Sequence, residues 1–463
     1  MNGRCWTPLA WATLLALAGC AAPLTPTQTP ELTLQQAAVP PQLPVAAGAA
    51  ADTPAFGWRD LLRQPRLVQL VELALQGNRD LRLTLLNVQR AQAQLTAADA
   101  NRLPTVAAGL SASRAPNGKG ELASNFALGL QVSSWELDLF GRLAHLSEAA
   151  RAQWLASQAG QRAAEIALAA TVVQTALALQ ADDELLVLAR QSLASREQSL
   201  KLAQLRESVG AASLLDLQLQ QGLAAQARAT LAQLTRQQAQ NAHTLALLLG
   251  QPVPPALWST VDRPALESDA WLAEVPAGLA SAVLLRRPDV IAAEQTMRAA
   301  DANIAAARAA FWPAITLTGQ AGAASSQLAG LFPGGHFAYT LASNALLTVF
   351  DAGRRQANVD AAQVSRQIAQ AQYERAIQSA FRDTADGLAG LATWRDQRLA
   401  VAAQREAARG TAKLVALRAS QGAASALEQL EAERTLWATE QAVVQLRLAE
   451  LLNRVALFKA LGS

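Results

Sequence analysis

Residues 205–213 read LRESVGAAS and residues 417–425 read LRASQGAAS, the same punctuation returning 212 positions later. A glycine between two helix-forming runs ends one helix and lets the next run back. Working outward, the match continues on both sides. Leu249-Gly250 returns as Leu461-Gly462 with the same shift, and Asp138-Leu139-Phe140-Gly141-Arg142 parallels Phe350-Asp351-Ala352-Gly353-Arg354. Ala97-Ala98-Asp99-Ala100-Asn101 matches Ala299-Ala300-Asp301-Ala302-Asn303, and Asn78-Arg79-Asp80 matches Arg287-Pro288-Asp289. Each of those aspartates is followed 24 residues later by a proline, Pro104 or Pro313. A period of about 210 sustained over this many landmarks is an internal duplication.

Each copy follows one plan. A helix (66–102, or 277–311) ends at proline, which stops a helix and is tolerated at the first residue of a strand. Two short segments follow, 104–114 and 125–135 in the first copy, 313–323 and 338–349 in the second. Their connecting loops, RAPNGKGELAS and the Gly/Ser/Pro-rich 324–337, are rich in turn residues. A very long helix then runs over 142–208 or 354–420, roughly 100 Å at 1.5 Å per residue. After the glycine turn, 213–249 and 425–461 return as helices. The domain plan is a leader (1–19), an N-terminal arm (20–57), a first repeat (58–250), a linker (251–276) and a second repeat (277–463). A helix this long is foreign to a globular domain. No stretch of it carries the 18 uncharged apolar residues of a bilayer-spanning helix; 163–181 is interrupted by Glu165, Gln174 and Gln180. Alanines spaced among leucines suit close antiparallel packing instead.

Composition agrees. Of 463 residues 51% are hydrophobic, 5% aromatic and 16% charged, which favours long packed helices and excludes disorder for most of the chain. A net charge of +3 is too balanced for a protein that lives on phosphate contacts, so no nucleic-acid partner is expected. Two cysteines and three histidines leave little for a disulfide scaffold or a zinc site. His145 and Glu148 have an i,i+3 spacing that could grip a metal, but no further His or Cys lies near; His243 and His336 are isolated. No Gly-rich phosphate loop and no nucleophile–base arrangement occurs, so neither a cofactor nor enzymatic activity is expected.

The N-terminus reads as an export address. Arg4 supplies the positive region, LAWATLLALA (9–18) the short apolar region, and Leu17-Ala18-Gly19-Cys20 the processing site. The tetrapeptide resembles the bacterial lipobox, which implies lipidation of Cys20; an ordinary signal peptide with a chance cysteine is the alternative. An apolar stretch this short falls below the ~17–25 residues of a spanning helix. By resemblance to bacterial lipoproteins, alanines at 21 and 22 imply sorting to the outer membrane. Residues 23–56, rich in Pro, Thr, Gln and Ala, read as a tether.

The short segments alternate with period two. Phe126, Leu128, Leu130 and Val132 interleave with Ala127, Gly129, Gln131 and Ser133, and Ile315 and Leu317 with Thr316, Thr318 and Gln320. Eleven residues is also the length of a tilted transmembrane strand, ~9–11. Trp135, Phe140, Phe311, Trp312 and Phe350 cluster at the helix-proximal ends, as an interfacial girdle would. Four strands of a water-soluble sheet remain an alternative, because 339–349 alternates poorly. Four strands cannot close a barrel, for which about eight is the minimum, and open edges are forbidden in lipid. Membrane strands therefore require several chains to pool them.

Taken together, LVELALQGNRDL (70–81), SWELDLFGR (134–142), LLRRPDVIAAE (284–294), ARAAFWPAITLTGQAG (307–322) and VFDAGR (349–354) resemble the TolC-type outer-membrane efflux channels, in particular the NodT-type lipoproteins. The resemblance runs from about Trp58 to the C-terminus. It implies a mainly α-helical homotrimer whose twelve-stranded β-barrel, set in outer-membrane lipid, continues into a periplasmic helical barrel. It also implies two partners, a periplasmic adaptor and an inner-membrane transporter that supplies the transport energy. The expected function is a passive exit duct for drugs or other small toxic compounds. The duct of a protein-secretion system and a non-channel periplasmic coiled-coil scaffold are the alternatives.

By the same resemblance the glycine turns are the periplasmic tips. Asp216, Glu428 and Glu431 then become aperture carboxylates, Glu428 and Glu431 sharing one helix face. In the first copy Leu219 stands where the second acid would be. Service to the helix dipole is the competing role for all three. Arg206 and Arg418, four residues before Gly210 and Gly422, are candidate tip or adaptor contacts, or part of a solvated face.

Overall fold

The computed structural model describes residues 57–462, apart from 117, 119, 259–262, 275–280 and 333–335. The leader, Cys20 and the arm to residue 56 lie outside the described residues. A one-turn helix α1 (Trp58–Leu61) precedes α2 (Pro65–Gly77) and α3 (Arg79–Ala100). Then come β1 (Val106–Pro116), β2 (Leu122–Leu137), the long helix α4 (Arg142–Ser208) and α5 (Leu214–Leu249). The second copy is α6 (Pro288–Ala309), β3 (Ala314–Ser325), β4 (His336–Leu346), α7 (Arg354–Ser420) and α8 (Ala426–Leu461).

The single helix expected over 66–102 is two. The chain breaks at Asn78, whose backbone is extended and whose side-chain oxygen accepts from the Leu81 N–H at 2.9 Å. This N-cap bond satisfies one of the donors that a helix start leaves free. The Asn78 amide also donates to the carbonyl of Leu248 at 2.9 Å, clasping the end of α5. In the second copy a 3-10 turn (Ser281–Arg286) gives way at Arg287 to α6, with Pro288 in its first turn. There Arg287 donates to the carbonyl of Ala460 at 2.8 Å, clasping the end of α8. Each long helix is thus flanked by two shorter ones meeting end to end halfway along it.

The core sits at that meeting level. It joins Leu67, Leu70 and Val71 of α2, Leu168 to Leu185 of α4, Leu245 and Leu249 of α5, and Val290 and Met297 of α6. Ile377 and Leu388 of α7 and Leu451, Val455 and Phe458 of α8 complete it. Leu266, Trp271 and Leu272, from the segment between the repeats, insert into it as well. One 18-residue window of α4 has a mean hydropathy of 1.4, but 56% of it is buried inside the protein. That stretch serves the core.

Both glycine turns close the same way. Ala211 N–H bonds to Arg206 O and Gly210 N–H to Glu207 O, and Ala423 and Gly422 repeat the pattern onto Arg418 and Ala419. This is a Schellman C-cap, whose αL residue has φ 73° at Gly210 and 70° at Gly422. Both positions need the conformation that only glycine adopts freely.

Candidate functional site

The four strands form one antiparallel sheet in the order β1-β2-β3-β4. The register sorts their side chains. Phe126, Leu128, Leu130 and Val132 of β2 stand opposite Ala112, Leu110, Ala108 and Val106 of β1. Across β3 the same face continues through Ala323, Ala321, Leu317 and Ile315, and across β4 through Phe337, Tyr339 and Leu341. The opposite face carries Gly109, Ser111, Asn125, Gln131, Thr316, Thr318, Gln320, Thr340 and Asn344. One face is apolar apart from Arg114, Ser124 and Ser325 near its loop end and Ser343 on β4; the other is small, polar and uncharged apart from Glu136 near its helical end. The fourth strand begins at His336, so Phe337, Tyr339 and Leu341 alternate in its first half, while Ser343 on the apolar face and Leu346 on the polar face break the pattern beyond them. On the apolar face Leu130 is 58% and Tyr339 76% exposed. Burial in water does not explain such a face.

Gly129 and Gly322 are partners across β2 and β3, and a Cβ on either would run into the other strand's backbone at Leu128 or Ala321. Close strand approach requires glycine at both positions. A β-bulge between Val132 and Trp135, with Ser134 at φ 55°, bends β2 toward its helix. The outer edges of β1 and β4 have no strand partner among the described residues.

The five aromatics gather where sheet becomes helix. Phe140 stacks on Trp312 with centroids 5.2 Å apart, joining the two copies. Trp135 donates its indole N–H to Arg102 O at 3.1 Å, and Arg355 lies over the Phe311 ring at 5.0 Å. Phe350 is 86% exposed. The acids of the two junction motifs hold helix starts, a role the sequence reading did not assign. Asp138 accepts from the N–H groups of Leu143 and Ala144, while Glu136 forks onto Arg142 at 2.9 and 2.6 Å. Asp351 accepts from the N–H groups of Gly353 and Arg355. The Arg355 guanidinium, 2.7 Å from Asp351, holds that carboxyl below its ordinary value.

At the tips the acids lie close to their helix starts. Ser213 and Asp216 form a reciprocal capping box, and so do Ser425 and Glu428. Glu431 pairs with Arg434 at 2.7 Å. Arg418 donates to Ala423 O at 2.8 Å and lies 4.0 Å from Glu428. Leu205, Val209, Leu214 and Leu215 of the first tip, and Leu414, Leu417 and Leu427 of the second, are exposed. His145 and Glu148 are 3.4 Å apart, and no three potential metal ligands cluster among the described residues.

A duplicated chain with this sheet on these helices can be compared with known proteins. The family model described as outer membrane efflux protein matches residues 70–251 and again 279–463, one match per repeat. The chain belongs to the outer membrane efflux protein family. The outer membrane protein OprJ of Pseudomonas aeruginosa is 39% identical over 427 residues, spanning 90% of this chain and 87% of OprJ. The toluene efflux pump outer membrane protein TtgC of Pseudomonas putida is 38% identical over 461 residues, 97% of this chain and 94% of TtgC. The open-state MtrE outer membrane channel of Neisseria gonorrhoeae superposes with a TM-score of 0.78 at 35% identity, covering 91% of this chain and 96% of MtrE. Family members of this kind are outer-membrane efflux channels with a periplasmic helical extension, and the scaffold reading is set aside.

Proposed function

We propose that three copies of this chain pool their sheets into a twelve-stranded barrel and line up their hairpins beneath it. The assembly is the exit duct of a tripartite efflux pump. The observation that carries this reading is the sheet itself: one mainly apolar face, one mainly uncharged polar face and two edges without a partner among the described residues. Backbone groups at a bare edge cannot remain unpaired in hydrocarbon, so β4 of one copy pairs with β1 of the next. The polar face, with Gln131, Thr318 and Gln320, then lines a water-filled passage.

Transport energy comes from an inner-membrane transporter, linked to the duct by a periplasmic adaptor at the tips. Arg206, Gly210, Arg418 and Gly422 are the proposed tip contacts. Asp216, Glu428 and Glu431 are the proposed carboxylates of the narrow end, and two of them also close capping boxes at their helix starts. Trp135, Phe140, Phe311, Trp312 and Phe350 hold the membrane boundary, and acylation of Cys20 tethers the N-terminus to the same membrane. No step in this work needs an enzyme, and the chain's own role is passive conduction.

Native mass spectrometry of the detergent-extracted protein tests the assembly. A trimer is expected; a monomer would leave bare strand edges and overturn the pooled barrel. Deletion of the gene is expected to raise sensitivity to small toxic compounds in a strain lacking redundant ducts.

A further inference from the structure

We propose that the segment between the two repeats, Arg263–Trp271, is a yoke that limits how far the two helical hairpins can part below it. The proposal rests on the duct reading, because it concerns the opening of the duct's tips. The segment is fastened to both hairpins. Toward the first, Arg263 pairs with Asp183 of α4 at 2.8 Å, and the Leu266 N–H donates to Glu184 of α4 at 2.7 Å. Toward the second, Arg447 of α8, with its side chain 2% exposed, donates to the carbonyls of Leu266 and Ser268 at 3.0 Å each and to Asp269 at 2.7 Å. From α7, Arg405 reaches Glu267 at 2.9 Å and Arg398 approaches Asp269 at 3.7 Å.

One residue therefore bridges the hairpins: Leu266 gives its N–H to α4 and takes a bond on its carbonyl from α8. Its side chain is fully buried in the core, so the bridge cannot slide along the helices. The Arg447 guanidinium is out of water and shared among the segment's carbonyls, Asp269 and Glu450, which makes the fastening costly to release. From Asp183 to Gly210 is roughly 40 Å of helix, so a tilt of about 5° at the yoke carries a tip through roughly 3.5 Å. Below the yoke, Arg196 of α4 and Glu433 of α8 stand 3.8 Å apart, longer than the bonds that Arg447, Arg263 and Arg405 make to the segment.

The outer fastenings can be loosened while Arg447 keeps Glu450 and the carbonyls of Leu266 and Ser268, since the Glu267 and Asp269 side chains are 52% and 71% exposed. The test is the full-length lipidated protein carrying Glu267→Gln with Asp269→Asn, in planar bilayers. The open-to-closed ratio is expected to rise about two- to five-fold, the size of losing part-exposed ion pairs. Amide exchange along the lower part of α7, below Arg405, is expected to quicken. A second variant, Glu267→Cys with Arg405→Cys, is expected to open less when the two thiols are joined by a disulfide-containing bismaleimide that spans the former ion pair, and to recover when that linker is reduced; the chain's own cysteines, Cys5 and Cys20, lie far off in sequence. Trimers of both variants that open as the wild type does would overturn the yoke. Wild-type protein that conducts nothing would instead sink the duct reading. The exchange measurement then decides the yoke, and protection unaltered by the substitutions overturns it.

Discussion

Arg409 stands 212 residues after Glu197 and carries the opposite charge. Glu197 of α4 meets Arg228 of α5 at 2.9 Å, and Arg409 of α7 meets Glu440 of α8 at 2.7 Å. Residues 228 and 440 are also 212 apart, so the two hairpins carry one cross-link with its polarity reversed. What the fold uses at this level is a pair, whichever helix supplies the cation.

Exchanging the first pair to the second pair's polarity, Glu197→Arg with Arg228→Glu, is therefore expected to leave thermal stability within about 0.5 kcal/mol of the wild type. Glu197→Arg alone sets two arginines together and is expected to cost roughly 0.5–1 kcal/mol, a part-exposed pair being worth no more. A double-mutant cycle on unfolding curves measures the coupling; none at all would show the pair to be ornamental.

Leu130 and Gln131 are neighbours on opposite faces of β2. Arginine at 130 meets lipid and is expected to destabilise the inserted barrel by about 2–4 kcal/mol if it sits near mid-membrane. Arginine at 131 meets water and is expected to leave trimer yield unchanged. Heat-resistant trimer on gels, compared for the two variants, checks which face is outside; equal damage from both would reject the assignment.

Asn78 performs two tasks, capping α3 and holding Leu248. Asn78→Ala loses both and is expected to cost about 1–3 kcal/mol. Asn78→Ser keeps the cap but not the reach, so an intermediate loss is expected in denaturant titrations. A serine variant as damaged as alanine would place the whole effect on the clasp.

Acid sensitivity should be traceable to Asp289. Burial alone would raise its carboxyl, but hydrogen bonds and charge from Arg287, with the Val290 N–H, outweigh that and hold it below 3.8. A depressed carboxyl contributes stability above its unfolded value, and that contribution is lost as pH falls through the folded one. Between about pH 5 and pH 2.5 the melting temperature of the wild type is expected to fall more steeply than that of Asp289→Asn. Parallel slopes would remove Asp289 from the account.

The duplication, the mainly helical class and the strand alternation were legible because each is a periodic signal: LRESVGAAS returns as LRASQGAAS, and Leu128, Leu130 and Val132 mark every second position. The break at Asn78 was not, since Gly77-Asn78 sits within a continuous helical pattern, and one of the two bonds that hold Asn78 goes to a carbonyl from residue 248, far off in sequence. Phe337 was missed for a simpler reason: it lies just before the assumed start of the fourth strand. Arg447 reads as one more arginine on an amphipathic helix, and nothing local tells that it is enclosed by the segment between the repeats. Asp138 and Asp351 were quoted as parts of motifs, but that they hold helix starts depends on the chain's path at Gly141 and Gly353.

A sheet bare along both β1 and β4 has no stable place in hydrocarbon as a single molecule. Insertion and association become one event, and the yield of inserted duct should rise more steeply than linearly with the amount of chain delivered to the membrane. A cell that makes a little less of this protein then loses disproportionately many ducts, and chains that find no companions stay in the periplasm as substrates for proteases.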